Sequence, residues 1–520
     1  MSEKEYIVSL KRGVDASNFK AEMTQSSGDA NIPARSVDVA NERLLSTRNT
    51  HYSLTDEEAK QLKNDSRVAD VAIPPDQDDS LDIGFCATQS GDFKKTTAYS
   101  GNHLNWGMRR CIESTNVYGT SSNNPSGDYT YNLDGTGVDV VIQDSGLQVD
   151  HPEFNDASGT SRVQQIDWYN ESGVSGTQSV NHYRDYNGHG THCAGTVAGL
   201  LYGWAKNARV YSVKVNGLEG SGDIFTGISI TNCFDVIKGW HNNKPVDPAT
   251  GYKRPTIVNM SWGYGTYPNS VTNVVYRGSS VSSGWNGTGR STTYGIVGSP
   301  RYSGSTFLGY RHVRRVTSVD TDVQEMIDAG IHVCIAAGNS RQKCDIPSGA
   351  DYNNYYTKSP GGDVYYHRGG SPYDDQAMSV GNIDRYTHNA GLEQKNSSSE
   401  TGPAVNIYAP GTNIMSACST TNEMPGTGTY PGNSSFLTTN ITGTSMASPQ
   451  VCGLGALILQ ANPHMTPDEL RNFIITNSVS NMLYSTGSDT DYAVDRSLKG
   501  SNNRFLFNPF NSQYKFRIVN

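Results

Sequence analysis

From Asp134 onward, short apolar runs rich in β-branched residues alternate with longer segments of helical periodicity, and few folds satisfy that pattern. Val138–Ile142, Val210–Val215, Thr256–Met260 and Ile331–Ala337 read as buried strands. Ile224–Trp240 and Thr317–Ala329 between them read as helices. Strands that are apolar on both faces need a helix layer on each side, so the expected class is α/β with a largely parallel sheet. In such sheets ligands gather beyond the carboxyl ends of the strands. Standing there are Asp144 in Q-D-S-G, Ser261 in N-M-S-W-G and Asn339 in A-A-G-N-S.

Composition narrows the function. The 520-residue chain carries a net charge of −9, which argues against nucleic acid as a partner. None of its apolar runs approaches the roughly 18 residues of a membrane span, so no membrane partner is expected. Met1–Tyr6 reads M-S-E-K-E-Y, without the basic and apolar regions of a secretory signal, and an intracellular place or carriage in a viral particle is expected. Cys193, Cys334 and Cys452 sit in apolar or small-residue segments as reduced thiols would. Cys344 with Cys418, and Cys86 with Cys111, are pairs an oxidising setting could join.

Residues 1–82 read as a small separate domain. A strand at Tyr6–Leu10 leads to a helical stretch near Phe19–Met23. Thr55 with Glu58 then forms a capping box that opens a helix, and Val68–Ile73 is a strand ended by Pro74 and Pro75. Residues 83–133, rich in Gly, Ser, Asn and Tyr, read as a linker and processing region whose one anchor-like stretch is Asn105–Ile112. The rest, 134–520, is the main domain.

Two stretches of that domain carry chemistry. In Ile441–Gly453, I-T-G-T-S-M-A-S-P-Q-V-C-G, Ser445 opens an apolar helix. There its hydroxyl lies near unpaired N–H groups and the positive helix end, making it a candidate nucleophile; the competing reading is a plain N-cap. In Asp185–Gly199, D-Y-N-G-H-G-T-H-C-A-G-T-V-A-G, glycines flank His189 and allow close backbone approach. Two other readings stand beside it: a zinc site from Asp185, His189, His192 and Cys193, or a capped helix with incidental histidines.

These blocks, D-S-G at Asp144, G-H-G-T-H-C-A-G-T at His189, A-A-G-N at Asn339 and G-T-S-M-A-S-P at Ser445, resemble the signature motifs of the subtilisin-like serine proteases, in that family's order of acid, base, nucleophile. The Y-G-W-A-K after the second block and G-S-G at Gly220–Gly222 are most similar to the proteinase K branch. The resemblance implies a serine endopeptidase with Asp144, His189 and Ser445 as triad, Asn339 and the Ser445 N–H as oxyanion donors, and Thr444 in support. It implies that residues 1–82 are a ferredoxin-like inhibitory propeptide, the chain's own intramolecular inhibitor, removed by self-processing between Pro75 and Asn105.

It further implies polypeptide substrates lying between Gly220, Ser221, Gly222 and Ser261, Trp262, Gly263. The primary pocket would be walled by Ser261–Gly263 and by Ala336, Ala337 and Gly338, with room for a large apolar side chain. Trp262 replaces a smaller residue usual there and either narrows a subsite or packs on the insertion that follows. Arg341 and Lys343 read as solvated charge, or as a preference for acidic substrates. Gln450 and Gln143 depart from the family pattern. Calcium is the implied structural cofactor, with Asp384 as a matching acid or else a surface turn residue, and no organic cofactor is implied. Insertions at about 264–316 and 341–375 wall the cleft, bind a partner or decorate the periphery. The alternative from another class is a structural or binding protein, virion-associated, that keeps the protease fold.

Overall fold

The computed structural model describes residues 2–510 apart from 12, 27–30, 42–47, 75–86, 120–126, 167–169, 171–182, 216–217, 219, 223–229, 268–270, 284–290, 304, 359–361, 389–390, 491 and 493–495. Cys86, the first part of the expected helix at Ile224 and residues 75–86 of the expected processing stretch lie outside the described residues. The chain divides into two compact units, Met1–Phe85 and Cys86–Asn520.

In the first unit, strands Lys4–Leu10, Val39–Asn41, Asn49–Leu54 and Val68–Ala72 and helices Ala16–Gln25 and Asp56–Leu62 follow one another as β-α-β-β-α-β. Lys4–Leu10 lies antiparallel between Asn49–Leu54 and Val68–Ala72, and Val39–Asn41 pairs at the outer edge of Asn49–Leu54. This is the ferredoxin-like arrangement expected for the segment. The Thr55 box is formed: its hydroxyl accepts from the Glu58 N–H at 3.3 Å and its own N–H donates to the Glu58 carboxylate at 2.8 Å. Phe19, Met23, Tyr52 and Leu54 fill the core.

The second unit is built on a nine-stranded sheet in the order Val479–Ser480, Arg504–Phe505, Ile407–Pro410, Met378–Ile383, His332–Ala336, Thr256–Met260, Asp139–Asp144, Arg209–Lys214, Val163–Gln164. All neighbours pair in parallel except the outermost Val479–Ser480. Asp139–Asp144 shows why the central runs are apolar throughout. Val140 and Ile142 face one core, with the helices His189–Ala198 and Thr444–Ala461. Val141 faces the other, with Ile230–Asn243 and Thr317–Asp328. Thr466 and Glu469 form the second capping box, with Pro467 in the first turn of the closing helix.

The expected linker at 83–133 is not one. Ala87–Gly91 pairs with Gly127–Tyr131, and Phe93, Trp106, Met108, Cys111 and Tyr129 are fully buried in the main core. The reason is a polar latch that composition does not show. The Asn105 amide donates to the carbonyl of Tyr202 (2.9 Å) and to Gln450 (3.0 Å), and the Trp106 indole donates to the Thr412 carbonyl at 2.9 Å. Gln450, one of the departures from the family pattern, also receives the Trp204 indole N–H at 2.7 Å, so it ties this segment under the Thr444–Ala461 helix.

The two insertions fold together. Val271–Tyr276 from the first pairs antiparallel with Tyr355–Lys358 from the second, flanked by Ser279–Val281 and Gly362–Tyr365, over a small core of Val274, Tyr356 and Tyr366. Buried Asp351 locks them: its carboxylate accepts from Arg277 (2.7 Å), Lys343 (2.9 Å) and the Tyr492 hydroxyl (2.8 Å). Lys343 is thus buried in an ion cluster rather than solvated. The seven described cysteines, Cys344 and Cys418 among them, are free and buried. No described helix is long and apolar enough to cross a membrane.

Trp106→Ala is expected to destabilise the protein by about 3–5 kcal/mol in denaturant unfolding, the cost of emptying a buried aromatic site. A linker residue would change stability by less than about 0.5 kcal/mol.

Candidate active site

Three loops meet beyond the carboxyl ends of the parallel strands. The first leaves the Asp139–Asp144 strand. Asp144 is buried, and its Oδ1 accepts from the Ser145 N–H (2.7 Å) and from His189 Nδ1 (2.8 Å). That bond puts the proton on Nδ1 and leaves Nε2 as the basic nitrogen.

His189 is held there by Asp185. One oxygen of this buried carboxylate accepts from the N–H groups of Asn187 and Gly188 and from the Ser145 hydroxyl. The other accepts from the N–H and hydroxyl of Thr191. Asp185 therefore caps the start of the His189–Ala198 helix and ties it to the Asp144 loop. Gly190 is required by close approach, since a Cβ there would lie 2.0 Å from the Gly146 carbonyl oxygen. Burial opposes a charged His189 ring, but the Asp144 carboxylate, with Cys193 beside it, outweighs burial and holds the pKa well above the usual 6.5.

The second loop follows His332–Ala336 and carries Asn339. The third begins the Thr444–Ala461 helix, whose N-cap, Gly443, has no side chain to cap it. Asn339 supplies the cap instead: its Oδ1 accepts from the Thr444 N–H (2.9 Å) and hydroxyl (3.1 Å), and the Thr444 hydroxyl accepts from the Gly338 N–H (3.2 Å). With the oxygen so engaged, the Asn339 NH2 turns outward. A Cβ built on Gly443 would lie 3.4 Å from Asn339 Nδ2 and 3.6 Å from the Ser445 nitrogen, so both nitrogens stand beside Gly443.

Ser445 Oγ donates to the Ser261 carbonyl (3.0 Å) rather than to His189, and the Ser261 hydroxyl donates back to the Ser445 carbonyl (3.0 Å). Cys193 links the two helices: its thiol lies 3.8 Å from His189 Nδ1 and donates to the Ser445 carbonyl at 3.4 Å. Two adjoining cavities, one lined by Asp144 and His189 and the other by Asn339 and Ser445, share the wall Ser261–Gly263.

The second cavity has the two walls expected from the sequence, Ser261–Gly263 and Ala336–Gly338. It also has a third, made by Arg311, Val313, Gly370 and Ser371 of the insertions, which no local motif announces. Arg341 does not line it. Trp262 lines both cavities and packs edge-on to Tyr264, the first residue of the insertion, at 5.8 Å. On the other side, Gly220 is buried, Ser221 and Gly222 are exposed, and Glu423 accepts from the Ser221 N–H at 2.6 Å.

The metal expectations fare differently. The zinc set does not assemble: His192 donates its Nε2–H to the Ile414 carbonyl (2.9 Å) and Asp185 caps the helix. Asp144, His189 and Cys193 have donor atoms within 4.8 Å of one another, but Asp144 Oδ1 and His189 Nδ1 bond each other and the Cys193 thiol donates to the Ser445 carbonyl, so these atoms are already engaged. Asp384 does not fit calcium. One carboxylate oxygen is paired with Arg496 at 3.1 Å, and the buried Lys95 ammonium adds a second cation nearby; a hard cation needs such oxygens free.

The sequence profile described as "Peptidase_S8: Subtilase family" matches residues 135–505. The chain belongs to the subtilase family. Alkaline serine exoprotease A of Vibrio alginolyticus is 28% identical over 456 residues, covering 88% of this chain and 57% of that protein. Proteinase R of Parengyodontium album is 29% identical over 358 residues, 68% of this chain and 60% of that protein. This subtilase thus spans about three fifths of the length of these curated relatives. A solved structure described as a cold adapted subtilisin-like serine proteinase aligns with 79% of this chain and 99% of its own, at 23% identity and a TM-score of 0.45. The family resemblance carried by the four motifs is borne out.

In this subtilase, Asp144→Asn is expected to lower the pKa of His189, because the charge that favours the imidazolium is gone while burial remains. NMR titration of the ring protons checks it: the midpoint should lie above 6.5 in the wild type and move down in the variant.

Proposed function

We propose that this subtilase is a serine endopeptidase acting through Asp144, His189, Ser445 and Asn339. The observation that carries the reading is that Asn339 and Ser445 line one cavity and the hydrogen-bonded His189–Asp144 pair lines the next, the two sharing the wall Ser261–Gly263. On substrate entry the hydroxyl exchanges the Ser261 carbonyl for His189 Nε2, a rearrangement common when an empty site fills. Ser445 Oγ then attacks the peptide carbonyl carbon as its proton passes to Nε2, and the charge on the carbonyl oxygen is met by the Asn339 amide and the Ser445 N–H. His189 returns the proton to the leaving amine. Water, deprotonated by the same nitrogen, releases the acyl group. Asp144 stays ionised throughout and steadies the imidazolium. Substrate main chain would lie along Gly220–Gly222 and Ser261–Gly263.

We further propose that the Met1–Phe85 unit is a propeptide and intramolecular inhibitor. Its ferredoxin-like topology supports this, and the burial of Phe93 and Trp106 moves the expected cut to before Ala87, since a later one would remove core residues of the second unit.

An aryl phosphonate is expected to label Ser445, and Ser445→Ala to abolish labelling and lower turnover by roughly 10⁶, the size known for this loss in subtilisin, a relative. Asn339→Ala is expected to cost roughly 10² to 10³ in kcat, again the size known in subtilisin. Mass spectrometry of Ser445→Ala, purified apart from active enzyme, should show the uncut chain. A folded wild-type protein that does not label would leave the structural or binding alternative in place.

A further inference from the structure

The pocket beside Ser445 differs from the one its small-residue walls imply, because the insertion puts a cation in it. Arg311 is the one charged side chain among the described residues lining that cavity. It is seated rather than loose. Its Nη2 donates to the Gly263 carbonyl at 2.7 Å, and it lies against Gly265, where an added Cβ would come within 2.5 Å of Nε and 2.6 Å of Cζ. The strand pairing of Gly265–Thr266 with Thr306–Val313 fixes that position.

The guanidinium has no carboxylate partner among the described residues. A guanidinium offers five N–H donors in a planar fork, and the Gly263 carbonyl engages only one nitrogen. An acid lies behind the wall: Glu400 packs against Gly338, where a Cβ would lie 2.8 Å from Glu400 Cγ. Glu400 is fully buried, accepts from the Ser340 N–H at 3.0 Å, and has its pKa pushed up to about 8 by burial. Burial thus favours its neutral form, which opposes the Arg311 charge less than an ionised carboxylate would. Val313, Gly370 and Ser371 complete the wall without adding charge.

We propose, on the basis of the hydrolase reading above, that Arg311 selects an acidic side chain, Glu or Asp, at the substrate residue whose carbonyl Ser445 attacks. An apolar side chain there would bury the guanidinium against hydrocarbon with its remaining donors unmet, whereas a carboxylate can take two of them in a fork-to-fork pair. Arg311 is a specificity-determining residue, not a member of the hydrolytic machinery. This reverses the large apolar preference expected from the walls alone, and places the acidic preference raised for Arg341 and Lys343 on a different residue.

The test uses the full-length protein as it is expressed and processed, with peptides identical except for Glu, Phe or Lys at that position. The wild type should have a higher kcat/KM for Glu than for Phe, with Lys the poorest. Arg311→Gln should lower the Glu-to-Phe ratio by about 10- to 100-fold. Arg311→Lys, which keeps the charge and loses the fork, should fall between. Gly265→Ala supplies an independent variant: it leaves Arg311 in the sequence but displaces its guanidinium, and should also lower the ratio. A wild type that prefers Phe, or a ratio that neither Arg311→Gln nor Gly265→Ala changes, overturns the proposal. If such a protein still labels at Ser445, the hydrolase reading survives; a chain that neither labels nor cuts sinks both.

Discussion

The first turn of the buried Thr444–Ala461 helix cannot cap itself, because Gly443 has no side chain to do it. Asn339 meets the first of its N–H groups, that of Thr444, from the loop after a different strand. That one borrowed cap fixes which way the Asn339 amide faces. It seats Asn339 beside Ser445 on one cavity, and the Ser445 hydroxyl joins the helix to Ser261 at the end of the neighbouring strand. A helix with a conventional Ser or Asp cap would have its first donors satisfied and would offer nothing to a developing oxyanion.

A second cap plays the matching part on the other side. Asp185 holds the start of the His189–Ala198 helix and, through the Ser145 hydroxyl, the loop bearing Asp144. The pair His189–Asp144 is thereby positioned by a carboxylate that takes no part in the proposed chemistry. Cys193 then bridges the two helices through the Ser445 carbonyl. Both helices are capped by side chains from outside their own N-caps, Asn339 and Asp185, so the site depends on the sheet that brings the loops together.

Much of this was legible in the chain. Uniformly apolar, β-branched runs report burial on both faces, and that alone requires helices on each side; the strands at Asp139–Asp144 and Thr256–Met260 follow from it. Capping boxes at Thr55 and Thr466 are local chemistry and formed where the residues stand. Of residues 83–133 only the anchor-like Asn105–Ile112 stood out, because Gly, Ser and Tyr composition describes a loop equally well whether it is solvated or latched to a core. The latch residues Asn105 and Gln450 are 345 positions apart. The Asp384 expectation failed for a related reason: Arg496, which pairs with it, lies 112 positions away in sequence.

By itself the sequence determined the α/β class, the two-part organisation and the family, together with which residues could react, since motifs and periodicity are properties of neighbours along the chain. Only the tertiary structure decided how the two insertions combine and what they do to the cleft. Val271–Tyr276 and Tyr355–Lys358 pair across the chain, Asp351 binds the insertions through buried charge, and Arg311 is delivered into a pocket whose other walls carry none. A charge in a pocket is defined by what surrounds it in space, and the surroundings of Arg311, Gly263, Gly265 and a buried Glu400, come together only when distant segments fold against one another.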